Sequence, residues 1–166
     1  GWEVPRDSFF QINFHLLSRL VETVRERLRH GGLPCLVDAY CGVGFLTIEA
    51  ADLVETYVGI ELDRLAVRAA GHNAVQRGRA NGEFLNGRVE EVLPRVLDRL
   101  MPSRAAVLID PPRRGCPAAS LRQLRKMRPR QIVYVSCAPA TLARDLNILC
   151  AEGVYRLVKV VPLDMF

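Results

Sequence analysis

Lysine is nearly absent from this chain: Lys126 and Lys159 are the only two among 23 basic residues, and the rest are arginine. Against 18 acidic residues this leaves a net charge of +5, carried by guanidinium groups that pair bidentately with phosphate and stack on bases. A surface that meets nucleic acid is one reading, and an arginine-biased solvated surface is the other. The densest basic stretch, Arg122 to Arg130, fits the polar face of a helix that runs into a loop. Long apolar runs are also missing. No stretch approaches a membrane span or a signal-peptide core, so a cytoplasmic protein with no membrane partner is expected. Cys35, Cys41, Cys116, Cys137 and Cys150 include no Cys-x-x-Cys pair and no histidine at zinc spacing, so reduced thiols are expected rather than disulfides or a metal site. Linkers and low-complexity segments are lacking as well. A chain of 166 residues with 49% hydrophobic content predicts one domain, residues 1–166, with a sizeable core. It begins with Gly1 rather than Met, which points to a piece of a longer protein.

What is present is an alternation of strand and helix patterns. An amphipathic helix is predicted over about Phe14 to Arg29, with Leu16, Leu17, Leu20, Val21, Val24 and Leu28 on one face and His30-Gly31-Gly32 ending it. Strands are predicted at Cys35–Ala39, Tyr57–Ile60, Glu83–Leu85, Ala105–Ile109, Gln131–Val135 and Tyr155–Val161. Helices fall between them, at about Leu46–Leu53, Arg64–Arg77, Val89–Leu100, Ala119–Met127 and Ala140–Ala151. Such alternation means an α/β fold with a doubly wound, mostly parallel sheet and ligands beyond the carboxyl ends of its strands.

Three segments fall at those ends. Asp38-Ala39-Tyr40-Cys41-Gly42-Val43-Gly44-Phe45 joins the first strand to a helix, and Gly42 and Gly44 let the backbone turn tightly beneath a ligand. The third glycine of a dinucleotide fingerprint is missing, which disfavours NAD. Glu61 follows the second strand, about 20 positions after the glycine turn, the spacing of a carboxylate that grips a ribose. Asp63 is the better candidate for the helix cap nearby. Asp110-Pro111-Pro112-Arg113 follows the fourth strand, where two prolines would hold Asp110 stiffly over the cleft. Cys137 follows the fifth. A lone cysteine is more often a buried structural residue, but this one keeps the company of a ligand-binding edge, where a nucleophile would stand.

In order along nearly the whole chain, these motifs resemble the RNA 5-methyluridine methyltransferases: Asp7-Ser8-Phe9-Phe10-Gln11-Ile12-Asn13, Asp38 to Gly44, Val58-Gly59-Ile60-Glu61, Ile109 to Arg113, and Tyr134-Val135-Ser136-Cys137-Ala138-Pro139 through Thr141-Leu142-Ala143-Arg144-Asp145-Leu146. The resemblance implies a Rossmann-like catalytic domain that uses S-adenosylmethionine to methylate C5 of uridine in tRNA or ribosomal RNA. It implies Cys137 as the nucleophile that adds to C6, with Gln11, Tyr40, Glu61 and Asp110 lining the methyl-donor site. The family's proton acceptor is a glutamate shortly after an Asp-Met-Phe-Pro stretch, and this sequence stops at Asp164-Met165-Phe166, so the last strand of the sheet is expected to be missing too. The RNA-binding domains that usually precede the catalytic domain are also missing. Phe45 and Arg88 depart from the polar residues relatives carry near the donor. Two other readings remain open. One is a cytosine-C5 RNA methyltransferase with Cys116 as a second working cysteine; the other is a non-catalytic module that binds the nucleoside cofactor.

Overall fold

The computed structural model describes residues 1–5 and 14–164. Five parallel strands, β1 (Cys35–Ala39), β2 (Thr56–Glu61), β3 (Gly82–Asn86), β4 (Ala105–Ile109) and β5 (Gln131–Tyr134), form one sheet in the order β3-β2-β1-β4-β5. The helices are α1 (Phe14–Gly31), α2 (Phe45–Ala50), α3 (Arg64–Gln76), α4 (Val89–Leu100), α5 (Ala118–Met127) and α6 (Pro139–Cys150).

β1 and β4 lie at the centre, buried at every position, which is why β4 reads as an unbroken apolar run and β1 as one interrupted only by Asp38. Their side chains alternate between two cores. Cys35, Val37 and Ala39 of β1, with Ala105, Val107 and Ile109 of β4, pack under α4, α5 and α6 through Leu93, Leu97, Leu121, Leu124 and Leu149. Leu36, Ala106 and Leu108 face the other way, against Leu20, Val24 and Leu28 of α1 and Leu46 and Ala50 of α2. Asp63 caps α3 as its sequence position predicts, its carboxylate accepting from the Leu65 N–H at 2.8 Å.

The register determines where function can sit. Ala39 is level with Ile60 of β2 and with Ile109 of β4, and Ile109 is level with Tyr134 of β5. Four strands therefore end along one edge. The chain leaves β1 towards β2 and β3 and returns on the other side as β4, so the crevice opens between the ends of β1 and β4.

The strand expected at Tyr155–Val161 does not form. Tyr155 is anchored by its hydroxyl, which donates to the Pro129 carbonyl at 2.8 Å, but residues 156–164 pair with no strand. Their apolar pattern suits a sheet, yet a strand needs a hydrogen-bonded neighbour, and among the described residues β5 pairs with β4 alone. Leu157, Val158, Val160 and Val161 consequently stay exposed.

Candidate functional site

The glycine turn after β1 is built from backbone that side chains rarely adopt: φ is 69° at Tyr40, 53° at Gly42 and 81° at Gly44. Gly44 caps α2, and a β-carbon there would sit 2.8 Å from the Phe84 ring, so only glycine allows the close packing. Glu61 ties this turn to the second strand. One carboxylate oxygen accepts from the Gly42 N–H at 3.0 Å, and the other accepts from Leu62 at 2.6 Å and Asp63 at 2.9 Å. An ionised carboxylate offers about four acceptor positions, so one remains open, on the oxygen shared with Gly42.

Two more carboxyls lie close by. Asp38 is wholly buried at the end of β1, one oxygen accepting from the Thr47 hydroxyl and the other without a partner. Burial pushes its pKa up to about 8, and the charges of Asp110 and Glu61 push in the same direction. Burial also raises Asp110, to about 6. The backbone of Asp110 is pinned to β1 by its N–H to the Ala39 carbonyl, 3.4 Å away. Together these groups make a carboxyl-lined pocket at the strand edge, in which a ligand that carries positive charge would favour the ionised forms of the raised acids.

Cys137 sits across the same edge. β5 ends with the Val135 N–H on the Ile109 carbonyl at 2.8 Å, and the chain then forms a short loop before Pro139 opens α6. The Ser136 hydroxyl stiffens that loop by contacting both the N–H and the carbonyl of Ala138, at 3.1 and 3.2 Å. Cys137 is exposed, whereas Cys35, Cys41 and Cys116 are buried. Burial raises all three buried thiols, Cys116 to about 11. Cys116 also packs beneath the Tyr134 hydroxyl at 3.7 Å, which removes it from the role of a second working cysteine and disfavours the cytosine-C5 reading.

Tyr40, Gly42, Glu61, Asp110 and Cys137 thus share one cleft of about 2250 Å³. The Tyr40 hydroxyl is turned inward and raised in pKa by burial beside Cys116 and Ser120, so the rest of the residue is what meets the cleft. Gly44 lies beneath the turn rather than in the wall. Gln11 lies outside the described residues. Arg88 and Phe45 both border the cleft, and the Phe45 ring meets Trp2 edge-on at 4.9 Å. Of the basic stretch, Arg125 is engaged with Glu152 at 3.0 Å, while Arg122, Arg128 and Arg130 are exposed.

Sequence reasoning gave no role to Asp38 or Asn73. A carboxylate inside the apolar run Cys35–Ala39 is a legible signal. Asn73 carries none, although its buried amide binds the Val43 carbonyl of the glycine turn at 3.2 Å and both the N–H and the carbonyl of Glu3.

A parallel sheet in this order, with a glycine turn and a ribose-spaced carboxylate at its edge, defines a Rossmann-like methyltransferase fold. Solved structures bear this out: a precorrin-6y C5,15-methyltransferase of Geobacter metallireducens shares the fold with a TM-score of 0.70 at 15% identity, over 92% of this chain and 77% of its own. The tRNA (uracil-54, C5)-methyltransferase of Pyrococcus abyssi, crystallised with S-adenosyl-L-homocysteine, is similar with a TM-score of 0.80 at 31% identity, over 96% of this chain and 37% of its own. A profile of the tRNA (uracil-5-)-methyltransferases matches residues 2–166, and the chain belongs to that family. Similar curated proteins include uncharacterised RNA methyltransferases of Thermosynechococcus vestitus, 41% identical over 99% of this chain, and Bacillus cereus, 38% identical over 96%. The chain spans 36% and 34% of their respective lengths.

Proposed function

We propose that this chain carries the catalytic site of an RNA methyltransferase that methylates C5 of uridine in tRNA or ribosomal RNA, using S-adenosylmethionine and a covalent bond from Cys137 to C6 of the base. The observation that carries this reading is the placement of one exposed cysteine across a shared strand edge from a carboxyl-lined pocket, in a chain of this family.

The pocket fits the donor. Gly42 and Gly44 keep side chains out of the turn, the open position on Glu61 suits a ribose hydroxyl, and the raised carboxyls Asp38 and Asp110 gain from a neighbouring cation. Tyr40 and, by the family pattern, Gln11 complete the wall. When bound, S-adenosylmethionine supplies an electrophilic methyl group.

Cys137 adds its sulfur to C6 of uracil, and the C5–C6 π electrons move onto C5, converting a poor nucleophile into an enolate-like one. After C5 has gained its methyl group, a base takes the C5 proton, the electrons return to the ring, and the C6–S bond breaks to regenerate the thiolate. The family pattern assigns that base to a glutamate following the Asp164-Met165-Phe166 stretch. Arg113 and Arg114, exposed on the turn that faces Cys137, are placed to meet RNA phosphates. RNA-binding domains outside this region, which the family resemblance implies, are the expected source of most RNA affinity.

RNA containing 5-fluorouridine tests the reading, because fluorine at C5 cannot be removed as a proton and the adduct persists. With S-adenosylmethionine present, a covalent complex mapping to Cys137 and lost in Cys137→Ala is expected. Absence of any adduct from protein that binds both RNA and donor would overturn it.

A further inference from the structure

The family-like stretch Thr141 to Leu146 has no part in the scheme above, yet it holds the most heavily bonded side chain near the site. Asp145 on α6 is wholly buried. One of its oxygens accepts from the Tyr134 hydroxyl at 2.6 Å and from the Cys116 N–H at 2.8 Å. The other accepts from Arg144, from Nε at 2.8 Å and Nη2 at 2.7 Å. Arg144 Nη2 reaches on to the Arg114 carbonyl at 2.9 Å, so the pair holds the turn that follows Asp110 by its backbone. The Thr141 hydroxyl adds to the hold, lying 3.1 Å from the Arg113 carbonyl and 3.0 Å from the Ala138 carbonyl with one proton for the two. The turn is shaped for this approach: Gly115 has φ 75°, and a β-carbon there would lie 2.6 Å from both Arg144 Nη2 and Asp145 Oδ2.

Asp145 and its partner Tyr134 flank the nucleophile. Tyr134 ends β5 just before the Cys137 loop, and α6 begins just after it. A single carboxylate therefore fastens both ends of the loop that carries Cys137 to the turn that carries Asp110. Stability alone does not call for such a group, since apolar packing of the same volume stabilises a core as well or better than a buried carboxylate with its partners, and here Arg144 is half exposed.

We propose that Asp145, assisted by Arg144, is a positioning residue that fixes Cys137 relative to the methyl-donor pocket. This rests on the reading of Cys137 as the nucleophile. Loosening the clamp lets loop and turn move independently, and a misplacement of about 1 Å can cost a reaction about 10²-fold. The ribose end of the donor pocket, which carries most of its contacts to the cofactor in this reading, is held separately, by Glu61 and the glycine turn.

The test uses the intact protein with Asp145→Asn, Tyr134→Phe and Arg144→Lys, the last two each removing part of the clamp while the chain stays folded if Asp145→Asn does not. Adduct formation with 5-fluorouridine RNA is timed at saturating RNA and S-adenosylmethionine, per molecule able to bind S-adenosylhomocysteine. Rates at least fivefold below wild type, with S-adenosylhomocysteine affinity within twofold of wild type, are the expected result. Wild-type rates per binding-competent molecule, even with a lowered melting temperature, overturn the proposal and leave Asp145 a stabilising residue only. So does a proportional loss of cofactor affinity. A wild-type protein that forms no adduct instead refutes the role of Cys137, which separates the two failures.

Discussion

Replacing Glu61 probes the donor pocket most directly, because its carboxylate does two jobs. It holds the Gly42 N–H at 3.0 Å and the Leu62 and Asp63 N–H groups at 2.6 and 2.9 Å, leaving one acceptor position open. A hydrogen bond to a charged group contributes about 1.5–3 kcal/mol, so on the proposed assignment loss of the ribose contact alone weakens cofactor binding about 10- to 150-fold. Glu61→Ala also strips the acceptor from Gly42, and a turn with φ of 53° and 81° at its glycines relaxes once that tie is gone. Its effect therefore reaches the upper end of that range, with a further loss of about 1–3 kcal/mol in stability for the unpaired N–H groups. Glu61→Gln keeps one oxygen but turns an amide donor toward backbone donors, so it cannot restore both ties and binds nearly as weakly. Calorimetry with S-adenosylhomocysteine measures the first loss, and chemical denaturation without ligand measures the second. A folded Glu61→Ala protein with unchanged cofactor affinity refutes the assignment of the ribose to this side chain.

Other consequences can be measured separately. Limited alkylation with peptide mapping should label Cys137 ahead of Cys35, Cys41 and Cys116, whose burial shields them and raises their thiol pKa; faster labelling of Cys116 contradicts the placement of the nucleophile. A cationic ligand favours ionised carboxyls, so S-adenosylmethionine affinity should rise as pH passes through about 6, where Asp110 titrates, with proton release on binding; equal affinity at pH 5 and 7.5 refutes this. For stability the sign reverses. Asp38 has a folded pKa near 8, above its unfolded value, so its contribution is complete below about pH 4 and is lost as pH rises through 8, and Asp38→Asn should flatten the fall in melting temperature between pH 6 and 9. The β5 edge that is unpaired among the described residues, with the exposed Leu157, Val158 and Val160, should make residues 1–166 self-associate, and Val158→Lys with Val160→Lys should reduce this in sedimentation velocity; identical monomers at high concentration in both proteins count against it.

The sequence by itself determined the elements whose signals are local. Apolar runs marked β1 and β4 because both faces of each are covered, and Asp63 marked the start of α3 because a cap acts within two residues. Since a parallel sheet lines up its carboxyl ends, locating the strands was enough to bring Tyr40, Gly42, Glu61, Asp110 and Cys137 to one edge. Tertiary structure decided what depends on a distant partner. Residues 156–164 carry a strand's composition but pair with no strand among the described residues, and no local pattern reports that. Cys116 and Cys137 both sit in loops near a proline, yet one is sealed beneath Tyr134 and the other is open. The Glu61 bond to Gly42 spans 19 residues and the Asp145 bond to Cys116 spans 29, so each depends on how whole strands and helices pack. Hydrogen bonds of that reach leave no periodicity in the chain, because the spacing that makes them is set by the sheet and not by the turn or helix in which either partner lies.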